Sequence, residues 1–330
     1  MRSEALHNPI SQDKKSVLVS GANGFVGTAL CAELLRSGQS VRAAVRSATT
    51  QVVNAQNVSV GEINGETDWT NALFNTKTVI HLAARVHVMK DNSEYPLKAS
   101  RIVNVDGTLN LARQAAKAGV QRFIFISSIK VNGEGTRLGK PYTAEDEPAP
   151  LDPYGISKHE AEVGLLQLAT ETGMEVVILR PTLIYGPGVK GNFQTMLRCL
   201  EMGIPLPLGA IYNKRSFIAL DNLVNLIIIC MAHPAAANQT FLASDGEDLS
   251  TTELLKHLGK ALDKPAKLIP LPVCVLKLVA NLMGRGDVAQ RLCDSLQVDI
   301  SKTQDLLEWN PLVSVDDGLR KTALNFLQSS

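Results

Sequence analysis

Cysteine is scarce in this chain. The five present, Cys31, Cys199, Cys230, Cys274 and Cys293, are odd in number, scattered and never in CxxC spacing. That pattern excludes a disulfide framework and a cysteine zinc site, and it fits reduced thiols in a cytoplasmic protein. No His, Cys or carboxylate spacing suggests a metal. A charge surplus is lacking too: 33 Lys and Arg against 32 Asp and Glu leave a net charge of +1 over 330 residues. Without a basic excess no nucleic-acid partner is expected. Nor is there an unbroken apolar run. The longest candidate, "LIPLPVCVLKLVANLMG" (268–284), is interrupted by Pro270, Pro272, Lys277 and Asn281, so it reads as a packed helix rather than a stable membrane insertion. A membrane-surface role is disfavoured because the stretch itself has no basic face. The first 15 residues, "MRSEALHNPISQDKK", are polar and lack the apolar core of a secretory signal, which reads as a loose tail over 1–15.

What is present is a rhythm. From residue 16, β-branched runs ("SVLVSG", "SVRAAV", "NVSVG", "TVIHLA", "RFIFISS", "EVVILR") alternate with helical patterns at 24–37, 68–75, 98–118 and 153–173. Parallel strands joined by crossover helices follow, because runs such as "FIFI" are too apolar for a sheet with one wet face. The expected fold is α/β, a doubly wound parallel sheet of the Rossmann type with a smaller, mostly helical C-terminal lobe. The expected division is a dinucleotide-binding domain over 16–185, with a return segment near 216–235, and a substrate lobe over 186–330.

Gly21, Gly24 and Gly27 in "VLVSGANGFVG" are spaced GxxGxxG between the first strand and first helix. Such glycines allow a tight turn and aim helix N-terminal amides, here those of Phe25, Val26 and Gly27, at a pyrophosphate. An acid about 20 residues on would bind the ribose hydroxyls of NAD, yet none occurs between Glu33 and Glu62. Arg46, near the end of the second strand, and Arg42, two strand steps earlier on the same face, would suit a 2′-phosphate. NADP(H) is therefore favoured, with NAD(H) possible; surface arginines with no ligand are the alternative.

In "PYGISKHEAE", Tyr154 lies four residues before Lys158, so both fall on one helical face. A nearby cation favours phenolate and would draw the tyrosine toward neutral pH, where it can transfer protons. Such a pair also arises by chance, and context decides.

With the motifs "GANGFVG", "HLAA" (81–84), "NVDGT" (104–108), "FISSIKVNG" (125–133), "YGISK" and "RPTLIYGPG" (180–188), the chain resembles the extended short-chain dehydrogenase/reductase family, in its nucleotide-sugar epimerase and reductase branch, from about residue 16 to 325. The resemblance implies a triad in which Ser128, preceded by Ser127, orients the substrate oxygen, Tyr154 moves the proton, and Lys158 holds the nicotinamide ribose and lowers the tyrosine pKa. It also implies cofactor contacts from Leu82, Ala83, Ala84, Pro181 and Thr182, and a supporting role for Asn104, which could equally satisfy backbone groups in a buried turn. Arg215 matches a family arginine on the substrate diphosphate, and Asn192 sits where relatives contact the sugar nucleotide. Asp221 is expected as a helix N-cap and His81 as a packed residue. Homodimerisation through the helices at 98–118 and 153–173 is implied as well.

The resemblance also limits the reaction. The branch's 4,6-dehydratases carry an acidic pair after the catalytic hydroxyl residue; Ile129 and Lys130 stand there and cannot supply an acid and a base. Two reactions at C4 remain. The arginine-bearing second strand, and Asn132 where many epimerases have tyrosine, lean toward NADPH-dependent reduction of a UDP-4-keto-(6-deoxy)-N-acetylhexosamine in surface-polysaccharide synthesis. UDP-hexose or UDP-N-acetylhexosamine 4-epimerisation with bound NAD is the alternative. A non-catalytic NADP-sensing regulator of this fold would generally lack the Tyr/Lys pair that this chain keeps.

Overall fold

The computed structural model describes residues 16–86 and 95–329, and the tail over 1–15 lies outside the described residues. The described residues form ten strands: β1 (Ser16–Ser20), β2 (Val41–Val45), β3 (Gln56–Ser59), β4 (Thr76–His81), β5 (Arg122–Ile126), β6 (Glu175–Pro181), β7 (Leu183–Tyr185), β8 (Arg215–Ala219), β9 (Gln239–Ala243) and β10 (Asp248–Leu249). Seven form an all-parallel sheet in the order β3-β2-β1-β4-β5-β6-β9, and β10-β8-β7 make a small second sheet.

The large sheet is buried on both faces, and the strand period of two shows how. Val17, Val19, Ile124, Ile126, Val177 and Leu179 enter one core cluster, while Leu18, Phe123, Phe125, Val176 and Ile178 enter another. Full burial of each large side chain contributes roughly 1.5–3 kcal/mol, so a charge in these strands would be costly. The first cluster packs against α1 (Phe25–Arg36); the second takes α2 (Thr70–Leu73), α4 (Thr108–Lys117) and α5 (Pro153–Thr172), while α3 (Pro96–Arg101) and a π-helical turn at Ile102–Gly107 lead into α4. A third core cluster lies between α6 (Asn192–Glu201), the small sheet, α8 (Thr251–Ala261), α9 (Val273–Leu282), α10 (Gly286–Cys293) and α12 (Val315–Ser329), while α7 (Leu220–Ala232) and α11 (Ser301–Leu307) flank the first. The doubly wound sheet with a helical C-terminal part agrees with the fold read from the sequence.

Two residues are placed differently from expectation. Asp221 is the second residue of α7, whose N-cap is Ala219, and it pairs with Lys321 instead. No side chain of Ala219 can cap the helix; Asp245 accepts from the Ala219 backbone amide at 2.9 Å and from the Asn222 side chain at 2.7 Å. Asn132 is fully buried, donating to the Thr143 carbonyl at 2.9 Å and accepting from Arg180 at 3.0 Å. Arg180 in turn forks onto Glu162 of α5 at 2.6 and 3.0 Å. Asn132 is therefore a strut between β6, α5 and the loop after β5.

Candidate active site

The strand order reverses between β1 and β4, and the glycine turn lies at that switch point, where folds of this kind open a ligand crevice. Gly21 follows β1 at φ +67°, a conformation that favours glycine. A Cβ on Gly21 would lie 2.8 Å from the Ala83 amide nitrogen, and one on Gly27 would lie 2.2 Å from the Gly21 carbonyl oxygen. Bare backbone is thus required at both. The N-cap of α1 is Gly24, with no side-chain cap, which leaves the amides of Phe25, Val26 and Gly27 for an anion. Leu82, Ala83 and Ala84 continue β4 beside this turn, the Leu82 amide donating to Ser20 at 3.2 Å. These residues fit a dinucleotide pyrophosphate: the turn is bare and the helix end uncapped.

Of the two arginines read as 2′-phosphate ligands, Arg42 is withdrawn. It is buried, donating to the Ala72 and Asn71 carbonyls at 3.0 and 2.6 Å and to Gln56 at 2.7 Å, because α2 closes over that face of β2. Arg46 is exposed just past β2.

Lys158 is the most constrained cation of the site. It is 1 % exposed, its Nζ donates to the Ile126 carbonyl at 2.8 Å at the end of β5 and lies 4.2 Å from the centre of the Phe125 ring. Burial lowers its pKa to about 7 against a small opposing pull from Glu162. Tyr154 is partly buried, with Lys158 Nζ 6.0 Å from its ring centre. Burial, and secondarily the Asp152 carboxylate, push its phenol above the ordinary value. This reverses the expected lowering, because desolvation is the larger effect. His81 is packed as expected, fully buried between Ser20 at 2.6 Å and Thr108 at 2.9 Å, and burial lowers its pKa to about 3.

Ser128 lies two residues past β5 and caps the short 3-10 turn Ile129–Val131, its Oγ accepting from the Lys130 amide at 3.3 Å. The neighbouring Ser127 Oγ is buried with no hydrogen-bond partner. Lys130 is tied to Asp152 and to Glu134 at 3.2 Å. Asp152 is also the N-cap of α5, accepting from the Gly155 amide at 2.6 Å with Pro153 at the first helical position, an arrangement favoured at helix starts. The reading missed Ser157: Asn104, in the π-helical turn, donates to its Oγ at 2.9 Å, and that Oγ donates to the Tyr154 carbonyl at 2.8 Å. Asn104 also holds both backbone groups of Arg85, so it satisfies a buried turn and positions α5 at once. No local signal marks Ser157, since its partner is 53 residues away.

The structure gathers the Ser128, Tyr154 and Lys158 segments around the carboxyl end of β5, with Asn104 behind them. Pro181 ends β6, and the Thr182 hydroxyl donates to Ala243 of β9 at 3.2 Å. Arg215 and Asn192 belong to the C-terminal part: Asn192 is exposed at the start of α6, and Arg215 donates to the Arg291 and Asp294 carbonyls at 2.9 Å each. Burial lowers the pKa of Arg215. Among the described residues no cluster of His, Cys, Asp and Glu could hold a metal.

Known proteins resemble this chain along most of its length. Residues 17–243 match the model of the NAD dependent epimerase/dehydratase family. The chain is 51 % identical to a UDP-glucose 4-epimerase of Vibrio cholerae over 318 residues, covering 96 % of this chain and 97 % of that protein. The solved UDP-glucose 4-epimerase of Thermotoga maritima, with UDP-glucose, superposes with a TM-score of 0.77 at 23 % identity, over 95 % of this chain and 99 % of that one. A UDP-glucuronic acid 4-epimerase of Bacillus cereus in complex with NAD gives 0.76, also at 23 % identity, over 95 % and 99 %. The chain belongs to the NAD dependent epimerase/dehydratase family, an enzyme family of the extended short-chain dehydrogenase/reductase type.

Proposed function

We propose that the protein is a UDP-sugar 4-epimerase working with a bound NAD. The observation that carries this is the 51 % identity to the Vibrio cholerae UDP-glucose 4-epimerase across nearly the whole of both chains. The order of the two C4 reactions read from the sequence is thereby reversed. One of the two features behind that order, Asn132, is a buried strut, and one of the two arginines is held by backbone carbonyls.

Gly21, Gly24 and Gly27, with the amides of Phe25 and Val26, would hold a nicotinamide dinucleotide, which when bound would supply the hydride acceptor and then donor for C4 of the sugar. The chain's own residues do the rest. Tyr154, as phenolate, takes the proton of the C4 hydroxyl as the ketone forms and gives it back on the return step, while the Ser128 hydroxyl fixes the same oxygen; because desolvation raises the phenol, this step needs the positive charge of an oxidised nicotinamide and of Lys158 to offset it. Lys158, its Nζ held at the Ile126 carbonyl, would meet the ribose of a bound dinucleotide. Its pKa near 7 makes that charge responsive to pH in the working range. Arg215, with Asn192, holds the diphosphate of the substrate, a geometry suited to a guanidinium. Ile129 and Lys130 bring no carboxylate pair, which leaves water elimination without its acid and base. The test is incubation with UDP-glucose and UDP-N-acetylglucosamine, with products resolved by NMR and the dinucleotide released by denaturation identified by mass.

A second reading keeps one observation: Arg46 is exposed at the end of β2 and no acid lies between Glu33 and Glu62. This favours NADPH-dependent reduction of a 4-keto UDP-sugar. An empty site binding NADPH over NAD, and losing that preference in Arg46→Ala, would support it.

A further inference from the structure

Helix α9 is apolar on both sides. Val273, Leu276 and Ala280 turn inward onto the third core cluster. Val275, Leu278, Val279 and Leu282, at the helical spacing of the opposite face, are 39, 61, 47 and 81 % exposed. Ile269 at 52 %, Met283 at 66 % and Val288 at 42 % extend the same surface into the flanking segments. An ordinary surface helix buries one stripe and wets the other, so a second apolar stripe needs a partner. The helix has only ten residues, and no described helix is long and apolar enough to cross a membrane.

Charge indicates the partner. Between Asp263 and Asp294 the chain has five cations, Lys264, Lys267, Lys277, Arg285 and Arg291, and three carboxylates, Asp263, Asp287 and Asp294, of which Asp294 pairs with Lys277, in a protein whose net charge is +1. Lys264, Lys267, Arg285 and Arg291 are exposed at the two ends of the stripe. The stripe alone lacks a basic face, as its sequence indicates, but its flanks supply one. A second copy of the chain has another apolar face to use, since Ile102 beside α3 and Val163 and Leu166 on α5 are also exposed.

We propose that α9 and its basic flanks dock the protein on an anionic lipid bilayer, with Leu278, Val279, Leu282 and Met283 at the acyl boundary and the cations among the headgroups. The docking face adjoins the substrate lobe. Lys277 on α9 pairs at 2.7 Å with Asp294, whose carbonyl accepts from Arg215, so the contact holds the candidate diphosphate ligand near the membrane surface. This is independent of which C4 reaction the enzyme performs.

The experiment is cosedimentation of the full chain with phosphatidylglycerol/phosphatidylethanolamine vesicles. Leu278→Glu/Leu282→Glu is compared with Lys264→Glu/Lys267→Glu/Arg285→Glu, and each variant's fold is checked by thermal unfolding. Wild type binds, both variants lose about tenfold or more, and added salt weakens wild type. Wild type remaining in the supernatant, or the Leu278/Leu282 variant binding as well as wild type, overturns the proposal. A Leu278/Leu282 variant that binds vesicles normally but halves its mass in sedimentation velocity would assign the stripe to a second copy instead.

Discussion

Lys158 joins three pieces of the molecule: a helix, the last carbonyl of β5 and an aromatic face. Its place four residues after Tyr154 is legible in the sequence, but its burial is not, because Ile126 and Phe125 reach it only through packing of α5 on the sheet. Arg42 was misread for the same kind of reason: strand alternation gives its face, but not the helix α2 that covers that face. Two outcomes follow at this scale. Tyr154→Phe lowers kcat by about 10²–10⁴-fold while the dinucleotide still binds, read from turnover and from cofactor content. Lys158→Met changes the pH dependence of stability. The folded pKa is about 7 and the reference value 10.5, so between them the unfolded chain binds a proton that the folded chain lacks, and wild-type stability rises with pH. The slope reaches at most about 1.4 kcal/mol per pH unit. Urea unfolding from pH about 7.5 to about 9.5 should show that rise in wild type and a flatter profile in the variant; parallel profiles would contradict the buried, neutral-prone lysine.

Elements carry the cofactor site more than side chains do. The turn from β1 into α1 was readable because GxxGxxG after a β-branched run has a steric meaning, and the 2.2 Å approach at Gly27 is that meaning in space. Gly27→Ala is expected to displace the turn, so that purified protein carries little or no dinucleotide and melts at a lower temperature; full retention of cofactor would contradict the cradle. The start of α5 at Pro153 was expected from the sequence, and its Asp152 cap is added by the structure. Removing its cap with Asp152→Ala costs about 1 kcal/mol, measurable by chemical unfolding. It also releases Lys130 and relieves the phenol of a nearby carboxylate. The π-helical turn holding Asn104 had no sequence signature, since an extra residue in a helix leaves composition and periodicity almost unchanged.

Across the whole molecule, the six-fold alternation of strands and helices sufficed for the doubly wound sheet. The seventh strand, β9, was not readable as part of that sheet, because the chain leaves through α6, β8 and α7 before it returns beside β6. Assembly is tested at this scale. Val163 and Leu166 on α5 and Ile102 beside α3 form an exposed apolar face, and a homodimer through it is the expectation. Val163→Asp/Leu166→Asp should shift sedimentation from dimer to monomer, and an unchanged mass would remove that face from the interface. The substrate was the least legible feature, because Arg215 and Asn192 specify a diphosphate and a neighbour to it but not the sugar. The most direct measurement is therefore NMR of UDP-glucose and UDP-N-acetylglucosamine incubated with the purified protein and no added cofactor. Interconversion of C4 epimers, reaching the same ratio from either side, with NAD recovered from the denatured protein, is the predicted result. No interconversion, with NADPH consumed only when a 4-keto UDP-sugar is supplied, would contradict the account.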